Sequence, residues 1–317
     1  MSRPRRCRPA RSCHDEAVSE PTTSLTPLAG GHSGRTFLGD AGGERVVVRL
    51  HPPDDVRGAQ APEIDCSVLG LVRGLLPVAD VLEVRRPMAD AGTPGLLVTS
   101  FLPGERGDVV VERLVAAGDS DGLRRIGRAL GAVAAGLAGM PMLRPGPFLD
   151  ADLTLGRFPD DDLAAWAAAR LPGWPAGLRR NLSQVCRRAQ DLLDTVGRAC
   201  LVHSDLNPKN VLVDPATLEV TGVLDWEYAH AGHPWTDLGN LLRFDRHPAY
   251  ASGALDAWVS LRGGEAATVL DGARSADLRA LVDLAGRVGE NPVADRAEEL
   301  LRAIADAGDV HAWPFAG

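Results

Sequence analysis

A chain of 317 residues is long enough to bury more than one core, and 45% hydrophobic with 24% charged residues is the composition of a globular protein. No apolar run reaches the roughly 18 residues a membrane helix needs, and a formal charge of −8 argues against nucleic acid or an anionic membrane as the main partner. Five cysteines (Cys7, Cys13, Cys66, Cys186, Cys200) without disulfide or metal spacing fit reduced thiols in a soluble, cytoplasmic protein.

Residues 1–23 hold five arginines, three prolines and almost no large apolar side chain, and read as a disordered tail. From 24 to 102 the pattern is strand-rich with one helix. Segments 35–38 and 45–50 are strand candidates around the turn Asp40-Ala41-Gly42-Gly43, while Ile64, Val68, Leu71, Val72 and Leu75 recur at helical spacing behind Pro62, a favourable first-turn proline. Strands near 78–84 and 96–102 complete a small sheet, and Pro103-Gly104 marks the boundary to a second, mainly helical lobe, 103–317. There Leu123, Ile126, Leu130, Val133 and Leu137 form one helical stripe and Leu178, Leu182, Val185, Ala189 and Leu192 another; more helices follow Pro248, including 278–288 and 293–304.

Between these helices lies LVHSDLNPKNVLVD, Leu201 to Asp214. Its apolar flanks predict two short buried strands joined by a hairpin-like loop, and the loop concentrates His203, Asp205, Asn207, Lys209 and Asn210. An ordinary turn capped by Asp and Asn is the plain reading. Lys209 is the only lysine of the chain, the other 33 of the 34 basic residues being arginine. A further strand, 220–224, delivers Asp225. Pairing it with 211–213 over Asp214-Pro215 sets Asn210 and Asp225 together at the open end of a hairpin, two hard oxygen ligands of the kind magnesium favours. Asp205 is then free to accept a proton from a hydroxyl. The histidines His230, His233, His247 and His311 never adopt zinc spacing, which disfavours a metal hydrolase.

The run His203-x-Asp205-x-x-x-x-Asn210 with Asp225-Trp226-Glu227 downstream resembles the catalytic and metal-binding segments of aminoglycoside phosphotransferases and related small-molecule kinases. The resemblance implies an α+β, protein-kinase-like two-lobe fold, with ATP or GTP as cosubstrate and Mg2+ as cofactor. It makes Asp205 the catalytic base and Asn210 and Asp225 the metal ligands, with His203 and Asp237 as supports of the loop. Glu227 is either part of the metal shell or a turn cap. In the first lobe, Gly31, Ser33 and Gly34 within Gly30-Gly31-His32-Ser33-Gly34 would cover phosphates with backbone amides. Arg49 occupies the place of the kinase lysine, with Glu63 as its expected acidic partner on the helix; a plain surface ion pair is the other reading. Ser100 to Leu102 look like the linker that reads the base, and Lys209 either reaches the γ-phosphate or faces solvent. The acceptor is a hydroxyl of a small molecule, an antibiotic such as an aminoglycoside or a metabolite of choline, methylthioribose or ketosamine type. A polycationic acceptor would need carboxylates such as Asp150, Asp152 and Asp160 to Asp162, although the run Asp160 to Asp162, just before an apolar helical segment, is better suited to helix capping. A nucleotide-binding pseudokinase acting as a binding module is the reading outside catalysis.

Overall fold

The computed structural model describes residues 25–28, 35–158 and 162–315; the expected tail 1–23 lies outside them. The chain opens with a five-stranded antiparallel sheet of order β1-β2-β3-β5-β4. Its members are β1 (Thr26–Pro27), β2 (Arg35–Ala41), β3 (Glu44–His51), β4 (Val81–Arg85) and β5 (Gly95–Ser100), with α1 (Ala61–Val72) inserted after β3. The β2–β3 hairpin turns at Gly42 and Gly43, both at positive φ as a tight two-residue turn requires. Helix α1 carries Pro62 in its first turn and buries Ala61, Ile64, Asp65, Val68, Leu69 and Val72, a single stripe at i, i+3 and i+4 spacing.

After the linker the chain runs β6 (Glu105–Arg106), α2 (Gly107–Ala116), α3 (Ser120–Ala138), β7 (Pro141–Met142), β8 (Gly146–Pro147), α4 (Leu163–Arg170) and α5 (Ala176–Leu193). It continues through β9 (Ala199–Val202), β10 (Val211–Val213), β11 (Val220–Val223), β12 (His230–Gly232), α6 (Thr236–Leu242), α7 (Pro248–Arg262), α8 (Ala266–Ala285) and α9 (Pro292–Ala307). Helices α3 and α7 cross with backbones nearly touching: a Cβ on Gly131 would lie 2.5 Å from the Ala254 carbonyl oxygen, and one on Gly253 would collide with the Arg124 carbonyl. One core joins α1, α3, the central strands and α6–α7; a second joins α4, α5, α8 and α9. Arg243 and Asp277 form a buried ion pair (2.6 Å) that links the end of α6 to α8.

The expected sheet-plus-helix start and helical remainder are both present. One expectation needs correction: β9 and β10 are not partners. Strand β9 pairs with β7 and β12, whereas β10 pairs with β11 and β6, so the polar loop carries the chain from one sheet to another. The reason is local. Ser204 adopts a left-handed backbone (φ 68°), and a 3-10 turn over Pro208–Asn210, capped by the Asn207 side chain on the Lys209 amide (3.1 Å), turns the chain away from its own preceding strand.

Candidate active site

The loop leaving β9 is fixed from below before any of its chemistry is displayed. Asp237, in the first turn of α6 and 1% exposed, accepts the His203 amide on one carboxylate oxygen (2.9 Å) and the Ser204 amide on the other (2.8 Å). Burial pushes the Asp237 carboxyl above its ordinary value, against the lowering by the two amides it accepts. The His203 ring then bridges two loops. Its Nε2 lies 2.7 Å from the Leu224 carbonyl and must carry the proton; its Nδ1 lies 3.3 Å from the Asp205 amide and must offer a lone pair, so the ring is the neutral Nε2–H tautomer. Trp226 packs on it at 4.7 Å and anchors its own indole N–H on the Val223 carbonyl (3.0 Å).

Asp205 is held at both carboxylate oxygens by neutral amides. Asn207 Nδ2 donates to Oδ1 (2.9 Å) and Asn210 Nδ2 to Oδ2 (2.8 Å), and both also donate to the Asp205 carbonyl. Each carboxylate oxygen keeps a further lone pair for a hydroxyl proton. The same bonds orient Asn210: with its nitrogen committed to Asp205, its Oδ1 points away and accepts no donor among the described residues.

The β10–β11 register, Val211 opposite Val223, sets Asn210 beside the end of β11, and the Leu224 amide donates to the Asn210 carbonyl (2.8 Å). Asp225 follows at once, in a left-handed conformation (φ 64°) that an aspartate tolerates better than most residues. The expected juxtaposition of Asn210 and Asp225 is therefore present. Among the described residues no three His, Cys, Asp or Glu side chains gather as a metal cage. Asn210 Oδ1 and the Asp225 carboxylate are hard oxygens of the kind that suits a magnesium ion taking its other ligands from phosphate and water.

Arg49 reaches this turn from β3. Its Nη1 lies 2.7 Å from Asp225 Oδ1, and its Nη2 pairs with Glu227. Burial opposes the Arg49 charge, but the carboxylates of Asp225 and Glu227 outweigh it and hold the guanidinium above its ordinary pKa. The expected partnership with Glu63 is not formed: Glu63 points outward and binds Arg86 (2.5 Å). The inward acid of α1 is Asp65, two residues further and about 200° around the helix, with a carboxylate 5% exposed. A signal for it was in the sequence, since Asp65 falls inside the apolar stripe of α1, where a charge calls for explanation. Glu227, read as a metal-shell group or a cap, is an Arg49 ligand.

The Ser100 amide donates to the Asp80 carbonyl (2.9 Å) and its Oγ accepts the Asp80 amide (2.9 Å), so this residue is committed to the strand edge. The Leu102 amide has no intramolecular partner among the described residues, and the Leu102 side chain packs over Gly222 of β11. Lys209 is exposed on the 3-10 turn, and its ammonium makes no ion pair among the described residues. Gly31, Ser33 and Gly34 lie outside the described residues, as do Asp160 and Asp161. Asp162 caps α4 through the Ala165 amide (2.7 Å), and Asp150 accepts the Asp152 and Thr154 amides, so both serve local turns. Burial pushes the Cys186 and Cys200 thiols up to about 12, leaving them inert.

Comparison with known proteins adds the following. A family model described as the phosphotransferase enzyme family matches residues 24–270. Acyl-CoA dehydrogenase family member 11 of Mus musculus is 42% identical over 55 residues, and its Rattus norvegicus counterpart is 40% identical over 55. That segment is 17% of this chain and 7% of each relative, so the match spans well under a tenth of the relatives' length. Among solved structures, a thermostable mutant of aminoglycoside phosphotransferase APH(4)-Ia in complex with AMP-PNP and hygromycin B superposes with a TM-score of 0.64. The identity is 19%, over 90% of this chain and 95% of that one. A GDP complex of a mutant aminoglycoside 2'-phosphotransferase-IIIa gives a TM-score of 0.65 at 18% identity, covering 92% and 93%. At these identities the likeness is one of fold.

Proposed function

The chain belongs to the phosphotransferase enzyme family, and from that premise we propose that it moves the γ-phosphoryl group of ATP or GTP to a hydroxyl of a small molecule. The observation that carries this reading is the Asp205 carboxylate, clamped by Asn207 and Asn210, with the Asn210 carbonyl bonded to the Leu224 amide next to Asp225. Structural neighbours that hold AMP-PNP or GDP support a nucleotide cosubstrate.

In this reading the nucleotide lies between an N-terminal lobe, 24–102, and a C-terminal lobe, 103–317. The base meets the backbone of Leu102, and the phosphates pass under the loop 30–34, with Gly31, Ser33 and Gly34, toward Arg49 and Asp225. Asn210 Oδ1 and Asp225 would hold magnesium, which when bound neutralises phosphate charge during transfer. Asp205 orients the acceptor hydroxyl in line. As the new P–O bond forms and the bond to the nucleoside diphosphate breaks, the hydroxyl proton passes to Asp205. His203 and Asp237 keep that carboxylate in place and touch no substrate. Phosphoryl transfer is accelerated chiefly by positioning and electrostatics, which suits a site with so few side chains.

We place the protein in the cytoplasm, where its nucleotide is supplied. The free Cys66, Cys186 and Cys200 suit that compartment, and no helix among the described residues is long and apolar enough to cross a membrane. Hygromycin B and kanamycin occupy structural neighbours, but of the carboxylates expected to greet a polycation Asp150 is here spent on a turn and Asp162 on a helix cap. The acceptor class is therefore left as an alcohol, with antibiotic resistance one case of it.

The test is magnesium-dependent release of ADP or GDP in the presence of a panel of aminoglycoside, peptide-antibiotic and metabolite alcohols, with Asp205→Asn alongside. Acceptor-stimulated release that drops about 10²- to 10⁴-fold in the variant is the expected result. Equal rates in the variant and the parent would remove Asp205 from the chemistry.

A further inference from the structure

An ion network next to the site is not used by the reaction described above. Arg57, between β3 and α1, donates through Nη1 to Asp65 (2.6 Å) and to the backbone carbonyl of Glu227 (3.2 Å), and its Nη2 lies 3.4 Å from carboxylate oxygens of Asp55 and Asp65. His51, two residues beyond Arg49 on β3 and so on the same strand face, closes the network with Nδ1 3.4 Å from Arg57 Nη2. Glu227, whose carbonyl Arg57 grips, is also the residue whose carboxylate holds Arg49. A continuous path thus runs from α1 through Asp65, Arg57 and Glu227 to Arg49 and Asp225.

Stability alone does not account for this arrangement. A buried Arg–Asp pair is on average no better than a well-packed apolar pair of the same size, because both charges lose their hydration. What the ions add is direction, since a guanidinium fork admits few orientations of its carboxylate and carbonyl partners.

We propose that Arg57 is a positioning residue for phosphoryl transfer: it ties α1 to the 225–228 turn and thereby sets Arg49 and Asp225 in register with the nucleotide phosphates. The role rests on the phosphotransferase reading. It replaces the direct link between strand base and helix acid expected of Arg49 and Glu63 by a link through a second arginine.

The test uses the full chain and three variants: Arg57→Lys, Arg57→Met, and Arg57→Met combined with Asp65→Asn, which removes the Asp65 charge together with its guanidinium partner. Affinity for magnesium-ATP and magnesium-GTP is measured by calorimetry, amide hydrogen exchange over 225–229 by mass spectrometry, and the thermal midpoint separately. In the double variant we expect a folded protein whose 225–229 exchange quickens and whose nucleotide affinity falls, each about tenfold, with Arg57→Lys recovering part of both. Wild-type exchange and wild-type affinity in the double variant would overturn the role, as would a lowered midpoint with both readouts unchanged. Failure of the parent protein to bind either nucleotide would instead overturn the phosphotransferase reading, and is visible before any variant is compared.

Discussion

Asp237 shapes the catalytic loop with one hydrogen bond to each of its carboxylate oxygens, a division that only a carboxylate can make. Asp237→Asn keeps the volume but turns one acceptor into a donor facing an N–H. Urea unfolding should report a loss of about 1–3 kcal/mol for the orphaned amide, and initial rates should fall on the order of 10²-fold as Asp205 shifts. A variant with parental rates would mean that the loop holds its shape without Asp237. The residues of this centre were legible to different degrees, for physical reasons. His203, Asp205, Asn210 and Asp225 are spaced along two short segments whose geometry is largely local, so their pattern survives as sequence. Arg57 sits in an irregular connection, and the two partners that link it to α1 and to the 225–228 turn, Asp65 and Glu227, lie 8 and 170 positions away, so no local pattern announces that link.

Among the elements, the crossing of α3 and α7 depends on the absence of side chains. With Gly131 against the Ala254 backbone and Gly253 against Arg124, even one methyl group must part the helices. Gly131→Ala, which raises intrinsic helix propensity by about 1 kcal/mol, should nonetheless destabilise the protein by about 1–3 kcal/mol in urea; a gain in stability would show that the crossing relaxes freely. The apolar stripes announced α3 and α5 because burial on one face writes itself at 3.6-residue spacing. The same patterns did not reveal which strands pair: the runs at 199–202 and 211–213 are equally apolar, and their assignment to different sheets follows from Ser204 and the Pro208 turn. On α1, phase rather than proximity to the helix start selects the inward acid, which is why Asp65 and not Glu63 faces the turn.

At the scale of the molecule, two half-buried titrating groups pull stability in opposite directions. Burial lowers His233 to about 4, its Nδ1 already accepting the Trp235 amide (3.2 Å). Its stabilising contribution is present above the unfolded value near 6.5 and is lost as pH falls through about 4. Burial raises Asp245 to about 6, against the pull of Arg296 and aided by Asp108 and Glu112. That contribution is present below the unfolded value near 3.8 and is lost as pH rises through about 6. Asp245→Asn should therefore match the parent at pH 4 and exceed it by up to about 3 kcal/mol at pH 7 in chemical denaturation; equal stability at both would place the carboxylate in water. The linker bears on the whole molecule as well. Only two residues long, β6 pairs with β10 just past Gly104, whose φ of 139° presses its backbone against Thr221 and Leu212. Mechanically, the downstream end of the linker is riveted to the hairpin that carries Asn210 and Asp225. The small β11-β10-β6 sheet thereby fixes how far Glu105 and Arg106 stand from the turn that bears Asn210 and Asp225, as a ruler would.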